Sequence, residues 1–416
     1  MTARRTFQGR LLAVLAGGTA ALTLLGGTAA GAPARAHTAK LTSITVNTLP
    51  IANALPLDLG IKKGFFSKQG IEINKKTLQS GNDIVLALAN KSGEIGYIGW
   101  VPAMIARTQR IAIIAVTQSE VEGTSAADNW QNILVRGNSS IHTPADLSGK
   151  TIAVNALKGV GEVVIKAALK KKGVNPNSIK LTPLPFPSMR AALRNGQVDA
   201  IWTPEPFLTQ ALTQDGARSV MAPGPVLGKF WPNGGYVARS DWRKSHPALY
   251  EKFRKALGQS LTYATSHTSE VRALLPESSR NIRLPVWDPT IDRAKLKKLA
   301  QYAKEYGVIN SLPNFSQLIP LSVTGGKTLQ GIVENTSIRL LLDGKKLKSL
   351  PEGQYTFIVS DRSKTQNFRL RGPHVNMRTS VSGKGRATWT LLLRPGAYVF
   401  SSGAHKSTLK GTFKVS

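Results

Sequence analysis

Gly196-Gln197-Val198-Asp199-Ala200-Ile201-Trp202-Thr203-Pro204-Glu205-Pro206-Phe207 is the stretch whose reading decides the fold. Val198 and Ala200-Ile201-Trp202 are apolar and β-prone, and Asn195-Gly196 ahead of them reads as a turn. The strand has to end at the prolines, which donate no ladder hydrogen bond. Glu205 then sits on a stiff turn at the carboxyl end of a buried strand, where open α/β sheets bind ligands. The alternative for Glu205 is a solvated loop acid.

Working outward, Ser80-Gly81-Asn82-Asp83 opens a helix carrying Ile84, Leu86, Ala87 and Leu88, which leads into Lys91 to Gly99. The same order of helix, glycine turn and strand recurs from Met189 to Trp202, with Ala145 to Val154 in between. Together these stretches resemble the periplasmic solute-binding proteins of ABC importers, in the branch that carries aliphatic sulfonates, taurine, nitrate and related solutes. The resemblance runs from about Ile44 to about Leu318. It implies an α/β two-lobed periplasmic-binding-protein fold with mixed sheets and two crossovers. Lobe I is expected over about 41–117 and 224–318, and lobe II over about 118–223. Thr117-Gln118-Ser119 starts the first crossover, Met221 to Val226 forms the second, and the pair makes a hinge. The implied partners are a small-molecule ligand and the permease and ATPase of an importer.

Arg4-Arg5 precedes an apolar run from Leu11 to Leu25, and Ala34-Arg35-Ala36 offers a cleavage point. Residues 1–36 therefore read as an export signal, with the mature chain starting at His37. Arg4-Arg5 with Phe7 resembles a twin-arginine signal, while Gln8-Gly9 departs from the fuller motif, so either export route stands. The chain has no cysteine, which rules out disulfides and a cysteine-linked lipid anchor. The expected location is the periplasm or the outer side of the cell envelope. Net charge is +32; without the signal arginines Arg4, Arg5, Arg10 and Arg35 it is +28. Such a field favours anionic partners, including the cell envelope. Nucleic acid is set aside, because the basic residues are dispersed and no nucleic-acid-binding motif accompanies them. A monomer is expected.

The ligand-binding candidates lie at turns and helix starts. Asn53 either touches ligand or caps a helix. Ser80, Gly81 and Asn82 from one lobe, and Gly159, Val160 and Gly161 from the other, each begin a helix whose free amides make an anion seat. Trp100 reads as a cleft wall, with a core plug as the alternative, and Trp202 and Tyr236 complete the walls. With Glu205 as the single negative group opposite the helix starts, the arrangement suits a zwitterion whose amine meets Glu205. A purely anionic solute, such as a simple sulfonate or nitrate, and a pyrimidine are the alternatives. No nucleophile–base pair or metal box is recognisable, so no enzyme activity is expected. The resembled fold includes a pyrimidine-forming enzyme of thiamine biosynthesis, but its cysteine-rich motif cannot exist here.

From about Ile319, short alternating runs separated by Gly and Pro turns indicate an all-β sandwich over 319–416. Pro351 to Phe357, Asn367 to Pro373, Pro395 to Phe400 and Leu409-Lys410-Gly411 resemble a cupredoxin. By motif position, Gln366, Ser402 and Leu409 stand where a blue-copper site has its first His, its Cys and its Met, and His405 alone is retained. Without a thiolate the soft donor set is missing, so no cofactor is expected and the module reads as a docking domain. It carries 16 Lys and Arg against the four acids Glu334, Asp343, Glu352 and Asp361. This basic module also leaves room for an envelope sensor in place of a transport receptor. Titration of the protein with Cu(II) is expected to give no intense blue absorption, and stoichiometric uptake with such a band would contradict the ligand reading.

Overall fold

The structure is a computed structural model and describes residues 40–319, 328–373, 375–380, 385–403 and 409–416. The export signal, His374 and His405 lie outside the described residues.

Three parallel strands start the first lobe. Thr42–Thr48 pairs with Ile71–Thr77 on one side and Ile95–Gly99 on the other. The return strand Pro232–Arg239 then inserts antiparallel between Ile95–Gly99 and Ile113–Val121. It is buried along nearly its whole length, as a central strand covered on both faces must be. The second lobe is a five-stranded sheet in the order Lys180–Pro183, Thr151–Val154, Ala200–Pro204, Gln131–Val135, Arg218–Met221. Its two outer pairs are parallel at one edge and antiparallel at the other, so both sheets are mixed.

The expected start of the first crossover at Thr117 needs correction. The strand continues through Val121, and Gln118, Ser119 and Glu120 are all buried in it. The reason is pairing on both sides: Pro232–Arg239 reaches Val121 across several bulges, and Val286–Trp287 pairs with Val121 and Glu120. Strands on both sides thus pair with it, apart from the bulged positions, and the chain crosses only between Val121 and Gln131. The return crossing carries the short helix Pro223–Leu227.

Helix Pro247–Ser266 shows how periodicity becomes packing. Pro247 sits at its start, where no amide donor is needed. Tyr250, Phe253, Leu257, Leu261 and Ala264 recur on one buried face. That face covers helix Leu55–Lys62, where Gly60 leaves room for Ser260 and the Ser260 hydroxyl donates to the Pro56 carbonyl.

The last part of the chain forms two five-stranded sheets. One has the order Lys345–Lys346, Ile338–Leu342, Thr328–Val333, Gly353–Asp361, Gly385–Leu393. The other has the order Ser349–Leu350, Lys410–Val415, Gly396–Ser401, Arg369–Gly372, Val375–Arg378. Their facing residues, among them Leu329, Phe357, Phe368, Tyr398, Phe400 and Phe413, form a core separate from that of the lobes. One buried ion pair ties this sandwich to the lobes. Arg293, 4% exposed, begins helix Arg293–Glu305 and donates to the Glu352 carboxylate as well as to the carbonyls of Phe315 and Ile319. Burial lowers the guanidinium pKa and Glu352 opposes that shift.

Arg293→Ala leaves the Glu352 carboxylate and two carbonyls without their donor. It is expected to destabilise the protein by about 3 kcal/mol, as for other broken buried pairs. Urea unfolding checks this, and a loss under about 0.5 kcal/mol, the size of an exposed pair, would show the contact to be incidental.

Candidate functional site

The cleft between the two lobes encloses about 460 Å³, counting its open mouth. From the first lobe it is bounded by Leu49 and Ile51 after the first strand, by Gly81, and by Gly99 and Pro102. The second lobe contributes Asn155, Ala156, Gly159, Val160, Phe186 and Trp202. Trp130, Gln131 and Asn233 form the floor where the chain crosses between lobes, with Tyr97 beside them.

Four helices begin at this cleft: Gly81–Ala89, Trp100–Thr108, Val160–Lys171 and Phe186–Arg194. The first turn of each leaves amides without a helical partner, apart from Pro102 and Pro187, which have no amide to offer, and carries a partial positive charge. In the first helix the Ser80 side chain accepts from the Asp83 amide at 3.1 Å. The other three start after Gly99, Gly159 and Pro185, with no side-chain cap. Glu162, in the first turn of the third, faces away from this duty: it accepts from the Lys158 amide and pairs with Lys166 at 2.7 Å. None of the described cleft-lining residues carries a carboxylate. The field in the cleft is therefore suited to a small anion.

The expected site residues divide accordingly. Gly81, Gly159, Val160 and Trp202 are brought together around the cleft. Gly161 stands behind them, because a Cβ there would strike the Trp202 ring. Ser80 serves as the helix cap. Asn82 bridges the lobes at the rim, donating to the Leu157 carbonyl at 3.3 Å. Trp100 and Tyr236 are fully buried and do not line this cleft; Trp100 packs in the core beside Gly235. Asn53 is likewise fully buried, next to Tyr97 and Glu120 and away from the lining.

Glu205 takes a different place from the one expected opposite the helix starts. Its carboxylate is buried and accepts from the Thr209 amide at 3.0 Å, the Thr209 hydroxyl at 2.6 Å and the Arg283 amide at 3.0 Å. Pro206 turns the chain straight into helix Phe207–Gln214, so the acid caps that helix and does not reach the cleft. Burial raises its pKa against these hydrogen bonds. An amine in the cleft has no Glu205 to meet.

The aromatic walls belong instead to Trp130, Phe186 and Tyr97 together with Trp202. Phe186 and Trp202 ring centroids are 6.4 Å apart. The Trp130 indole donates to the Val121 carbonyl at 2.9 Å, fixing the ring across the crossover. These three were not singled out in the sequence; for Phe186, its position at the start of a helix after Pro185 was the available signal.

Beneath the floor lie two acids that periodicity does not reveal. Glu120 and Glu122 are almost wholly buried, on and just after strand Ile113–Val121. The Tyr97 hydroxyl donates to Glu120 at 2.7 Å, and the Asn233 amide donates to both Glu122, at 2.8 Å, and Gln131, at 3.0 Å. Desolvation pushes each carboxyl up to about 7. The Glu120 carboxylate also raises Glu122 slightly. Two residues of the floor and wall, Asn233 and Tyr97, are thus oriented by acids behind them.

Two lobes, two crossings and a cleft between helix starts define a solute-binding protein architecture. Solved structures with the same fold include the alkanesulfonate-binding protein SsuA from Xanthomonas axonopodis pv. citri bound to MOPS. It aligns with a TM-score of 0.55 at 20% identity, over 66% of this chain and 96% of that one. The periplasmic nitrate-binding protein NrtA from Synechocystis PCC 6803 aligns with a TM-score of 0.55 at 13% identity, over 68% and 86%. In sequence, the taurine-binding periplasmic protein of Escherichia coli (strain K12) is 29% identical over 196 residues, which is 46% of this chain and 57% of that protein. The nitrate/nitrite binding protein NrtA of Nostoc sp. (strain PCC 7120) is 24% identical over 232 residues, 51% and 52% of the two chains. The chain spans about half the length of these curated relatives. The profile of the NMT1/THI5-like family matches residues 52–271, and the chain belongs to that family.

The buried acids set a pH dependence. Their folded pKa of about 7 lies above the ordinary value of 4.5, so the folded state holds protons that the unfolded state releases. Their contribution is most favourable below 4.5 and is lost as pH rises to about 7, at roughly 3 kcal/mol for each group. The double variant Glu120→Gln/Glu122→Gln is expected to lose most of this slope. Melting curves at pH 5 and pH 8 compare the two proteins, and equal slopes would refute the assignment.

Proposed function

We propose that this chain is an extracytoplasmic receptor that captures a small sulfonate-type anion between its lobes and delivers it to the permease and ATPase of an ABC importer. The observation that carries this reading is the convergence of four helix starts on a cleft whose lining includes no carboxylate. The apolar walls Trp202 and Phe186 suit the organic part of such a solute. The names of the taurine-, sulfonate- and nitrate-binding relatives support the same class. No helix among the described residues is long and apolar enough to cross a membrane. On this reading the receptor is exported through residues 1–36 and acts as a monomer. The C-terminal sandwich serves as a cupredoxin-like docking module. Gln366 and Ser402, at the two positions where the resemblance puts metal ligands, are buried and hydrogen-bond to each other.

A thermal-shift panel of ethanesulfonate, taurine, nitrate, bicarbonate and a pyrimidine tests the reading. The sulfonates are expected to raise the melting temperature, by an amount equivalent to about 2.7 kcal/mol at a hundredfold excess over Kd. Taurine gains nothing over ethanesulfonate through Glu205, which is already engaged. Stabilisation by the pyrimidine alone, or by none of the anions, would overturn the proposal.

A further inference from the structure

The outer face of the second sheet of the sandwich carries a field of cations that make no ion pair among the described residues, with Arg369 donating to the Asn376 side chain at 3.3 Å. Strand pairing places Lys410, Ser401, Arg369 and Arg378 in one row across four strands, through the registers Ser401↔Lys410, Arg369↔Ser401 and Arg369↔Arg378. The next row holds Val399, Arg371 and Asn376, and Lys414 stands at the edge opposite Ala397 and Ser349. Alternation puts all of these on the face opposite the core residues Leu370, Tyr398, Phe400 and Phe413. Arg371, Arg378, Lys410 and Lys414 are exposed, and Arg369 is half-buried.

No carboxylate lies on any strand of this sheet. The four acids of the sandwich are elsewhere. Glu334 pairs with Arg339 and Arg362, Glu352 pairs with Arg293, Asp361 is buried and accepts from Thr379, and Asp343 lies in the hairpin of the other sheet. Among the described residues the five cations make no ion pair, and the Arg369 Nε atom has no hydrogen-bond partner. Burial lowers the pKa of Arg369, and the like charges of Arg371 and Arg378 close by lower it further. Such crowding costs stability in the free protein, and an anionic surface relieves it.

We propose that this sheet face docks the protein on a membrane surface rich in anionic phospholipid. Strands about 4.8 Å apart and same-face residues about 7 Å apart spread the five cations over a patch roughly 15–20 Å wide. That is a planar array, matched to a plane of phosphodiester groups, which arginine binds in bidentate fashion. Val399, 39% exposed at the centre of the face, meets the headgroup layer without disturbing it. The face offers no groove to follow a single polymer strand and no aromatic side chain on which bases stack. Docking is independent of which solute the cleft takes, and it would keep the receptor beside the membrane through electrostatics.

Vesicle co-sedimentation of the full chain tests this, with phosphatidylcholine alone and mixed with phosphatidylglycerol, at low and high salt. Binding is expected only to the anionic vesicles and to weaken as salt rises. The triple variant Arg369→Glu/Arg371→Glu/Arg378→Glu is expected to bind at least about tenfold more weakly, since each of the three basic residues near the surface contributes roughly fivefold. The milder Arg369→Gln/Arg371→Gln/Arg378→Gln variant should fall between, and its melting temperature reports that the sandwich is intact. The control Lys62→Glu/Lys68→Glu/Lys76→Glu, with the same charge change on exposed lysines of the first lobe, should keep most of the binding. Equal loss in control and test variants would reduce the effect to net charge and overturn the proposal. Tight binding to soluble poly(glycerol phosphate) with none to the vesicles would overturn it in favour of an anionic polymer.

Discussion

Everything in the two lobes depends on how the chain closes its backbone hydrogen bonds where it crosses between them. The strand ends on either side of the crossing are buried, so their amides and carbonyls need partners. The Trp130 indole donates to the Val121 carbonyl, the Trp130 carbonyl accepts from the Glu205 amide, and the Glu205 carbonyl accepts from the Ala52 amide. One continuous set of bonds thus joins the end of one sheet, the start of the next, the Pro204–Pro206 turn and the loop after the first strand. The cleft floor is the exposed side of this junction.

The same junction explains the electrostatics of the site. Helix starts supply the positive end of the cleft without any lysine or arginine in its lining, so the field comes from backbone geometry and cannot be titrated. Three buried acids that would oppose it are withdrawn, while Asp83, exposed in the first turn of one helix, accepts from the Ser80 hydroxyl. Glu205 is consumed by Thr209 and the Arg283 amide, and Glu120 and Glu122 lie behind the floor, where burial favours their neutral forms. An anion entering the cleft meets donors, with the carboxyls held as polar supports for Tyr97 and Asn233.

The sandwich is organised on a different principle. Its interior is closed by aromatic stacking, with Phe368 and Phe400 centroids 6.0 Å apart and Tyr398 and Phe413 5.2 Å apart. Its surface charge is unevenly shared between the two sheets. Acids accompany the first sheet and its loops, and cations alone occupy the second. The contact through Arg293 and Glu352 ties the sandwich to the two-lobed part of the chain.

Local chemistry in the sequence was enough for the elements. Glycine turns, alternating strands and the four-residue repeat of Leu249, Phe253, Leu257 and Leu261 determine them through short-range propensity and burial, and the later β-sandwich could be read from them, whereas the two-lobed α/β arrangement rested on the family resemblance that those elements carry. The helix starts at Gly81 and Gly159 were legible for the same reason, since capping is a property of neighbours in sequence. The fates of Trp100, Tyr236 and Glu205 were not. Whether an aromatic ring faces a cleft or a core depends on which strands lie against it, and Pro232–Arg239, inserted from far along the chain, covers Trp100. Whether a carboxylate is free depends on donors distant in sequence, here the Arg283 amide. Glu120 and Glu122 look like ordinary surface acids until the bulged pairing with the return strand buries them. Tertiary contacts decided these roles because burial and hydrogen-bond partnership are set by long-range packing, which no local pattern encodes.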